Sequence, residues 1–183
     1  MHIYRSDAYR QVPWRNGLGQ TAEILTFPEG AEDFAWRISM APVVTDGSFS
    51  IFPGIDRVLT VIEGEGLHLA IADAPAVRVT DAPIAFPGDV PCQATLTAGP
   101  ITDLNVMTRR GHWRAVVRHA EVPDRLDGTA HHLIFAIAEP LTGRVGDTSF
   151  TLGPRDTLHL TGAESPALAL TGRWLDIQLL PLT

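Results

Sequence analysis

The chain has 183 residues, of which 45% are hydrophobic and 19% are charged, so it can form the core of one domain or of two small ones. Its formal net charge of −7 repels nucleic-acid phosphates, and there is no dense basic run, so we expect no nucleic-acid partner. Lysine is absent, which excludes lysine Schiff-base chemistry and a P-loop.

The composition also bounds the location and the type of structure. No apolar run reaches membrane-spanning length, and the N-terminus lacks an apolar signal region, so we expect no membrane partner and a cytoplasmic location. The lone Cys92 cannot form an internal disulfide. With 16 glycines and 14 prolines, turns must be frequent and elements short, which favours β structure.

The first informative segment runs from Val12 to Glu23. It contains Asn16-Gly17 and Gly19, which favour a tight turn with exposed backbone amides. The glycine spacing fits neither a P-loop nor a dinucleotide fingerprint. Two interpretations stay open: a plain turn that enters a strand, or a lip over a pocket in which Trp14 is an apolar wall and Asn16 a polar contact.

The next segment, Phe34–Met40, alternates in the manner of a β-strand. The alternation puts Arg37 and Ser39 on one face, with Trp36 on the other. Four more segments are predicted as strands, and no long helix is predicted anywhere. These segments are Arg57–Ile62, Gly66–Ile71, Ala94–Thr97 and Asp103–Met107.

The second half of the chain repeats features of the first half in the same order. The matched segments are Val58–Ile62 with Leu133–Ile137, Phe86–Asp89 with Leu152–Asp156, Leu96–Gly99 with Leu170–Gly172, and Asp103–Val106 with Asp176–Leu179. We therefore expect two similar β-barrel halves, residues 1–111 and 112–183. The alternative is that any two all-β halves share Gly-Asp turns and Leu-Thr strands.

The strand before Glu63-Gly64, followed by Phe86-Pro87-Gly88, resembles the pattern of cupin barrels. Metal-binding cupins carry His-x-His and a Glu before such a Gly turn and a further His after the later Pro-Gly turn. Counting along this chain, those positions fall at Ser50, Phe52 and Arg57, and near Pro91 or Cys92. Because no His-x-His occurs in the chain, we predict no metal site and no cofactor.

An arginine-lined barrel interior is the second candidate site. Arg37 and Ser39 share a strand face, and Arg57 opens another strand. An arginine inside a small barrel is costly unless it meets a carboxylate or a ligand anion, and its planar fork suits bidentate binding of a carboxylate. From the residues alone we favour the ordinary alternative, in which Arg57 pairs with Asp56 or Glu23, or Arg37 faces solvent.

Carboxylates give a weaker signal than the arginines do. Asp103 and Asn105 share a strand face, and they either line the barrel interior or lie on a solvated edge strand. Acid–base catalysis has no marked pair of residues in the sequence. Glu23 is the base that we would test first.

Several separate motifs, in the same order, closely resemble the HutD/Ves family. They cover about the first 111 residues, and the C-terminal part matches in general character only. Leu18 departs from the family pattern, which has a small residue there. The motifs are Pro13–Ile24, Trp36–Ala41, Asp46–Ser50, Phe52–Arg57, Phe86–Asp89 and Asp103–Gly111.

The resemblance implies an all-β fold, a cupin-type (RmlC-like) jelly-roll bicupin without the usual metal ligands. It also implies an association with histidine utilisation and a small carboxylate ligand such as urocanate or formylglutamate. By motif match, the ligand-binding residues would be Trp14, Asn16, Thr21, Glu23, Arg37, Ser39, Phe52, Asp56, Arg57 and Asn105.

We therefore expect a metal-free, cytoplasmic bicupin that binds a small anionic metabolite and acts in regulation or as an accessory protein. A metal-independent isomerase or epimerase acting on a small carboxylate is the alternative, and a metal-dependent oxygenase is a third hypothesis. Pairing of barrel edges would give a homodimer, although no patch in the sequence marks such an interface.

Overall fold

The structure is a computed structural model that describes residues 1–14, 19–121, 131–161 and 168–182. The chain divides into two compact units: residues 10–113, called the N-terminal unit below, and residues 1–9 with 114–183, called the C-terminal unit. Apart from one 3-10 turn at Ser6–Ala8, the regular elements of the described ranges are strands, so the prediction of an all-β chain is confirmed. These ranges contain no helix long and apolar enough to cross a membrane.

The described strands are, in chain order, β1 (His2–Tyr4), β2 (Arg10–Pro13), β3 (Gln20–Phe27), β4 (Trp36–Val43), β5 (Gly47–Ser48), β6 (Ile55–Glu63), β7 (Leu67–Ile71), β8 (Val77–Val79), β9 (Ile84–Pro87), β10 (Cys92–Leu96), β11 (Ile101–Arg109), β12 (Trp113–Ala120), β13 (His131–Ala136), β14 (Leu141–Val145), β15 (Thr148–Leu152), β16 (Thr157–Thr161), β17 (Leu168–Thr171) and β18 (Trp174–Pro181). The five segments predicted as strands from their alternation fall in β4, β6, β7, β10 and β11.

The N-terminal unit consists of two antiparallel sheets. The larger sheet has the order β2-β3-β4-β11-β6-β9 and the smaller one the order β5-β10-β7-β8. Leu59 and Val61 of β6 pack in one apolar cluster with Leu67, Leu69 and Cys92 of the smaller sheet. That face of β6 therefore points into the space between the two sheets.

The C-terminal unit has the same two-sheet construction, with the orders β1-β16-β13-β18-β12 and β15-β14-β17. The N-terminal segment belongs to it because β1 pairs with β16. Asp156 strengthens this attachment, since its carboxylate accepts hydrogen bonds from Arg5 Nη1 at 2.6 Å and from the Ser6 amide at 2.8 Å. The core of the C-terminal unit is the cluster Ile134, Ala136, Leu141, Phe150, Leu152, Leu158, Leu160 and Trp174.

A six-strand pattern occurs in both units with the same pairing. In the N-terminal unit β6 pairs with β9 and β11, and β7 pairs with β8 and β10. In the C-terminal unit β13 pairs with β16 and β18, and β14 pairs with β15 and β17. The strands β6–β11 therefore correspond one by one to β13–β18, as an internal repeat requires.

One of the four sequence matches behind the repeat is wrong. Phe86–Asp89 ends β9 and leads into β10, whereas Leu152–Asp156 ends β15 and leads into β16. Because β16 is the counterpart of β9, these two turns lie at different places in the repeat. Short Gly-Pro-Asp turns join many antiparallel strands, and this match reflects turn chemistry rather than equivalent position.

Candidate functional site

Polar side chains occupy neighbouring positions on three adjacent strands of the large sheet in the N-terminal unit. The register gives three rows across β4, β11 and β6: Arg37–Met107–Arg57, Ser39–Asn105–Leu59 and Ala41–Asp103–Val61. Directly paired residues of antiparallel strands point to the same face. These rows therefore share the face on which Leu59 and Val61 point toward the smaller sheet. We call the residues Arg37, Ser39, Arg57, Asp103 and Asn105 the arginine site.

Arg57 is held inside the unit with 4% of its surface exposed. Its Nε donates to Asn105 Oδ1 at 3.2 Å, and its Nη1 donates to the Ser50 carbonyl at 3.4 Å. Among the described residues, Nη2 has no hydrogen-bond partner. Three rings surround the guanidinium carbon, with centroids at 4.8 Å for Phe49, 5.2 Å for Phe86 and 5.9 Å for Phe52.

Arg37 is half-buried and less well satisfied. Its Nη2 donates to the Met107 thioether sulfur at 3.3 Å, which is a weak acceptor. Its Nε is buried and has no hydrogen-bond partner. The guanidinium carbon lies 5.0 Å from the Phe34 ring centroid and 5.3 Å from that of Phe52. Phe52 is therefore a neighbour of both arginines.

Burial shifts the ionisation of this site strongly. Burial lowers the pKa of Arg57 to about 10, against the attraction of Asp103, and Arg37 lowers it further. Burial also lowers the pKa of Arg37, while Glu23 opposes that shift. Within the described part of the chain, neither Arg37 nor Arg57 forms an ion pair. The site thus holds two positive charges that no carboxylate of the described residues contacts directly.

Asp103 carries the carboxyl group of the site. It is 2% exposed, and its Oδ2 has no hydrogen-bond partner. Burial raises its pKa to about 7, although Arg57 and a hydrogen bond from the Ala41 amide favour the charged form. Since β11 lies between β4 and β6, Asp103 lines the interior rather than a solvated edge.

The two carboxylates that could have paired with the arginines are engaged elsewhere. Asp56 belongs to the row on the opposite face of the sheet and accepts a hydrogen bond from Arg110 Nε at 2.8 Å. Glu23, which lies beside Ser39 in the register, accepts hydrogen bonds from Arg10 Nη2 at 2.7 Å and Nε at 3.1 Å. The ordinary alternative for Arg57 is therefore not what the structure shows, and Asp56 does not join the arginine site.

The remaining predicted site residues lie in the N-terminal hairpin or beyond the described ranges. Trp14 Nε1 donates to Thr21 Oγ1 at 2.9 Å, and its ring lies 3.0 Å from where a Cβ on Gly19 would stand. These contacts tie Trp14 to its own hairpin rather than to the arginines. Asn16 is one of the residues outside the described ranges, so its predicted contact is not located.

The cupin fold raises the question of a metal, and the residues at the counted ligand positions do not fit one. Ser50 and Phe52 both lie against Arg57, and Cys92 is close enough for electrostatic interaction with it. A guanidinium at the centre of this group repels a divalent cation and supplies no lone pair. Within the described ranges, no three His, Cys, Asp or Glu side chains are grouped as a metal site would need.

Sequence reasoning missed several residues around the arginines. Phe34, Phe49, Phe86 and Met107 contact a guanidinium, yet none was selected from the sequence. Phe86 pairs directly with Arg57 across β9 and β6. An apolar residue on a strand is read as core by default, so no local signal could distinguish these rings from ordinary core packing.

A second buried polar cluster lies in the C-terminal unit. His132 Nε2 and the Asp176 carboxylate form a buried hydrogen-bonded pair. Arg118 donates to the same carboxylate from Nε at 3.0 Å and Nη2 at 2.9 Å, and Gln178 donates to it at 3.2 Å. Burial raises the pKa of Asp176, but His132 and Arg118 outweigh it and hold that pKa below its ordinary value. Both oxygens of the Asp176 carboxylate therefore accept hydrogen bonds from protein side chains.

The chain resembles a known protein family over most of its length. A family model described as HutD matches residues 6–175. The chain belongs to the HutD family. The match extends well into the C-terminal unit, where the sequence resembled the family in general character only.

Relatives of this HutD-family chain cover nearly its full length. Protein Ves of Citrobacter koseri is 40% identical over 178 residues, which cover 91% of this chain and 92% of that relative. The solved structure of HutD from Pseudomonas fluorescens is 31% identical with a TM-score of 0.84, covering 100% of this chain and 99% of that one. A conserved protein of unknown function from Pseudomonas aeruginosa has a TM-score of 0.83 at 30% identity.

More distant structures bear on the fold alone. A cupin 2 conserved barrel protein from Leptotrichia buccalis has a TM-score of 0.59 at 7% identity, covering 93% of this chain and 92% of that one. Together with the HutD structure, this likeness confirms the predicted cupin fold.

Proposed function

We propose that this HutD-family protein binds a small carboxylate in the arginine site, without a metal, and that it acts in the cytoplasm as a regulatory or accessory protein of histidine degradation. The link to histidine degradation comes from the family resemblance. It directs attention to urocanate and formylglutamate as ligands. The two unpaired guanidiniums of the site support a carboxylate as the ligand class, because they favour the binding of an anion.

The observation that carries the proposal is that Arg37 and Arg57 face the interior without an ion-pair partner among the described residues. Burying an unpaired guanidinium is costly, and proteins accept that cost where a ligand supplies the missing charge. Arg57 Nη2, together with Arg37 Nη1 and Nε, has no hydrogen-bond partner in the described structure. Two such forks suit the oxygens of a carboxylate.

The rest of the site suits a flat, partly apolar ligand. Phe52 lies beside both guanidiniums, and Phe49 and Phe86 flank Arg57. Asn105 Oδ1 accepts from Arg57 and fixes the plane of its fork. Oriented donors between aromatic rings favour a small carboxylate with a planar body over a large or flexible anion.

Binding is better supported than catalysis. An isomerase or epimerase needs a base that can accept a proton from the substrate. Glu23, the base suggested by the sequence, already accepts two hydrogen bonds from Arg10. Its carboxylate is therefore engaged with Arg10.

The proposal is tested by calorimetric titration of the purified protein, made without a histidine tag, with urocanate, formylglutamate and histidine. We expect saturable binding of at least one of the two pathway carboxylates and weaker binding of histidine, whose ammonium group would face two guanidiniums. If neither carboxylate binds at millimolar concentration, the proposed function is wrong.

The chain offers a matched control in Arg110, an arginine of the same unit that binds Asp56 and Asp89 on the opposite face from the arginine site. Arg110→Met removes the same charge from the protein as a change at Arg57 would. Because Arg110 does not face the interior, we expect its ligand affinity to stay within about twofold of wild type, as for other exposed charges away from a site. A large loss in Arg110→Met would mean that net charge, rather than the arginine site, drives binding.

A further inference from the structure

The arginine site combines two guanidiniums with one buried carboxyl group. With Asp103 ionised, its net charge is one positive, and with Asp103 protonated it is two positive. The nearby Glu23 and Arg10 neutralise each other through their ion pair. The state of Asp103 therefore decides whether the site matches the charge of a monoanion or of a dianion.

We propose that Asp103 takes up a proton when a dicarboxylate binds to the arginine site, and that it thereby fits the site to dianionic ligands. This inference rests on the proposed function, because it concerns the same site and the same class of ligand. It adds a role for a residue outside the ligand-binding set predicted from the sequence, and it couples ligand binding to pH.

The geometry supports this role for Asp103. Its Oδ2 is buried without a partner, while the Ala41 amide donates to the same carboxyl group. Asp103 stands two residues from Asn105 along β11, on the face that holds both arginines. A protonated Oδ2 would donate one hydrogen bond, which a carboxylate ligand can accept and which satisfies a buried atom that is otherwise unpaired.

Burial, opposed by the charge of Arg57, explains why Asp103 can change its protonation state near neutral pH. Arg57 on β6 favours its ionised form, and burial, the larger effect, raises its pKa to about 7. Arg37 on β4 and Cys92 on β10 interact with the same Arg57, and Glu23 on β3 interacts with Arg37. A bound dianion would engage the two arginines and add negative charge nearby, so it would raise the pKa of Asp103 further.

The sign of the pH dependence follows from this shift. At about pH 8 the free protein holds Asp103 mostly ionised, so binding of a dianion takes up close to one proton. Its affinity should then rise by up to about tenfold for each unit by which the pH falls from about 9 to 7, and level off below about pH 6. A monoanion leaves the site neutral with Asp103 ionised, so it should take up clearly less than half a proton.

The experiment is calorimetry at about pH 8 in three buffers with different ionisation enthalpies: Tris, Tricine and HEPES. The apparent binding enthalpy is plotted against the ionisation enthalpy of the buffer, and the slope gives the number of protons taken up on binding. Formylglutamate and glutarate are the dianionic probes, and urocanate is the monoanionic probe. Asp103→Asn is the test variant, because it keeps the shape and a hydrogen-bond donor but cannot titrate. We expect a slope near one proton for the dianions in wild type. In Asp103→Asn we expect a slope near zero and a dianion affinity that no longer rises as the pH falls.

The outcomes separate the two proposals. Dianion binding without proton uptake in wild type overturns the role of Asp103 and leaves the proposed function standing. The same uptake in Asp103→Asn also overturns it, since another group would then be the acceptor. If none of the probes binds, both proposals fail. A carbon-13 NMR titration of the free protein tests Asp103 separately. If its carboxyl carbon titrates in the ordinary aspartate range, Asp103 does not change its protonation state near neutral pH.

Discussion

Arg57→Met is expected to weaken the binding of urocanate or formylglutamate by about 10- to 100-fold, because the carboxylate loses the charge-assisted hydrogen bond from Arg57 Nη2, which contributes about 1.5–3 kcal/mol. Methionine keeps the unbranched stem of arginine, so the contacts with Phe49 and Phe86 can persist. Calorimetry on wild type and variant measures the effect. Circular dichroism shows whether the variant has kept its β structure.

A second variant keeps this test valid if Arg57→Met folds poorly. Arg37 is half-buried, and its Nη2 donates only to the Met107 sulfur, so Arg37→Met disturbs less of the interior. We expect it to weaken binding by about 10-fold or more, with the fold intact. Wild-type affinity in both folded variants, with Arg110→Met as the reference, would contradict an arginine anchor.

Asp176→Asn is expected to lower the free energy of unfolding by about 3 kcal/mol, since it removes a buried charge that His132 and Arg118 both contact. The amide keeps the shape of the carboxylate but turns one acceptor oxygen into a donor, so it faces the donors of Arg118 or His132. Urea denaturation followed by fluorescence of the tryptophans measures the change.

The pH dependence of the same variant gives an independent readout. The pKa of Asp176 is lowered in the folded protein, so its stabilising effect is present above the pKa of the unfolded chain, near 4, and is lost as the pH falls below that value. Asp176→Asn should therefore lose less stability than wild type between about pH 5 and 3.

The exposed carboxylate Asp147 provides the control for this prediction. It pairs with Arg144 at 3.6 Å in the same unit, and its side chain is fully exposed. Asp147→Asn should leave the urea midpoint unchanged. If Asp176→Asn is as stable as Asp147→Asn, the buried cluster does not stabilise the C-terminal unit.

Much of the arginine site could be predicted because β-strands alternate and the barrel pattern has a fixed order. Alternation alone put Arg37 and Ser39 on one face, and counting back from Gly64 put Arg57 among Ser50, Phe52 and Cys92, where the structure has it. Because Asp56 and Arg57 are adjacent on a strand, the same alternation puts them on opposite faces of the sheet. The motif match to the family nevertheless placed both residues in the predicted ligand site. In the structure Asp56 lies on the face opposite to the arginine site.

Other features depend on pairing between distant strands, which local sequence does not reveal. Asp103 could be read as interior or as solvated until the register placed β11 between β4 and β6. The buried His132 was not selected from the sequence as a site residue. Its partnership with Asp176 and Arg118 joins three strands and has no signature in any one of them.

The most direct test of the account is a crystal structure of the protein with urocanate or formylglutamate bound. We predict that a ligand carboxylate lies within about 2.7–3.2 Å of Arg57 Nη2 and of a guanidinium nitrogen of Arg37, between the rings of Phe49 and Phe52. A ligand bound elsewhere, with Arg37 and Arg57 still contacting only protein groups, would contradict the claim that these arginines form an anion site.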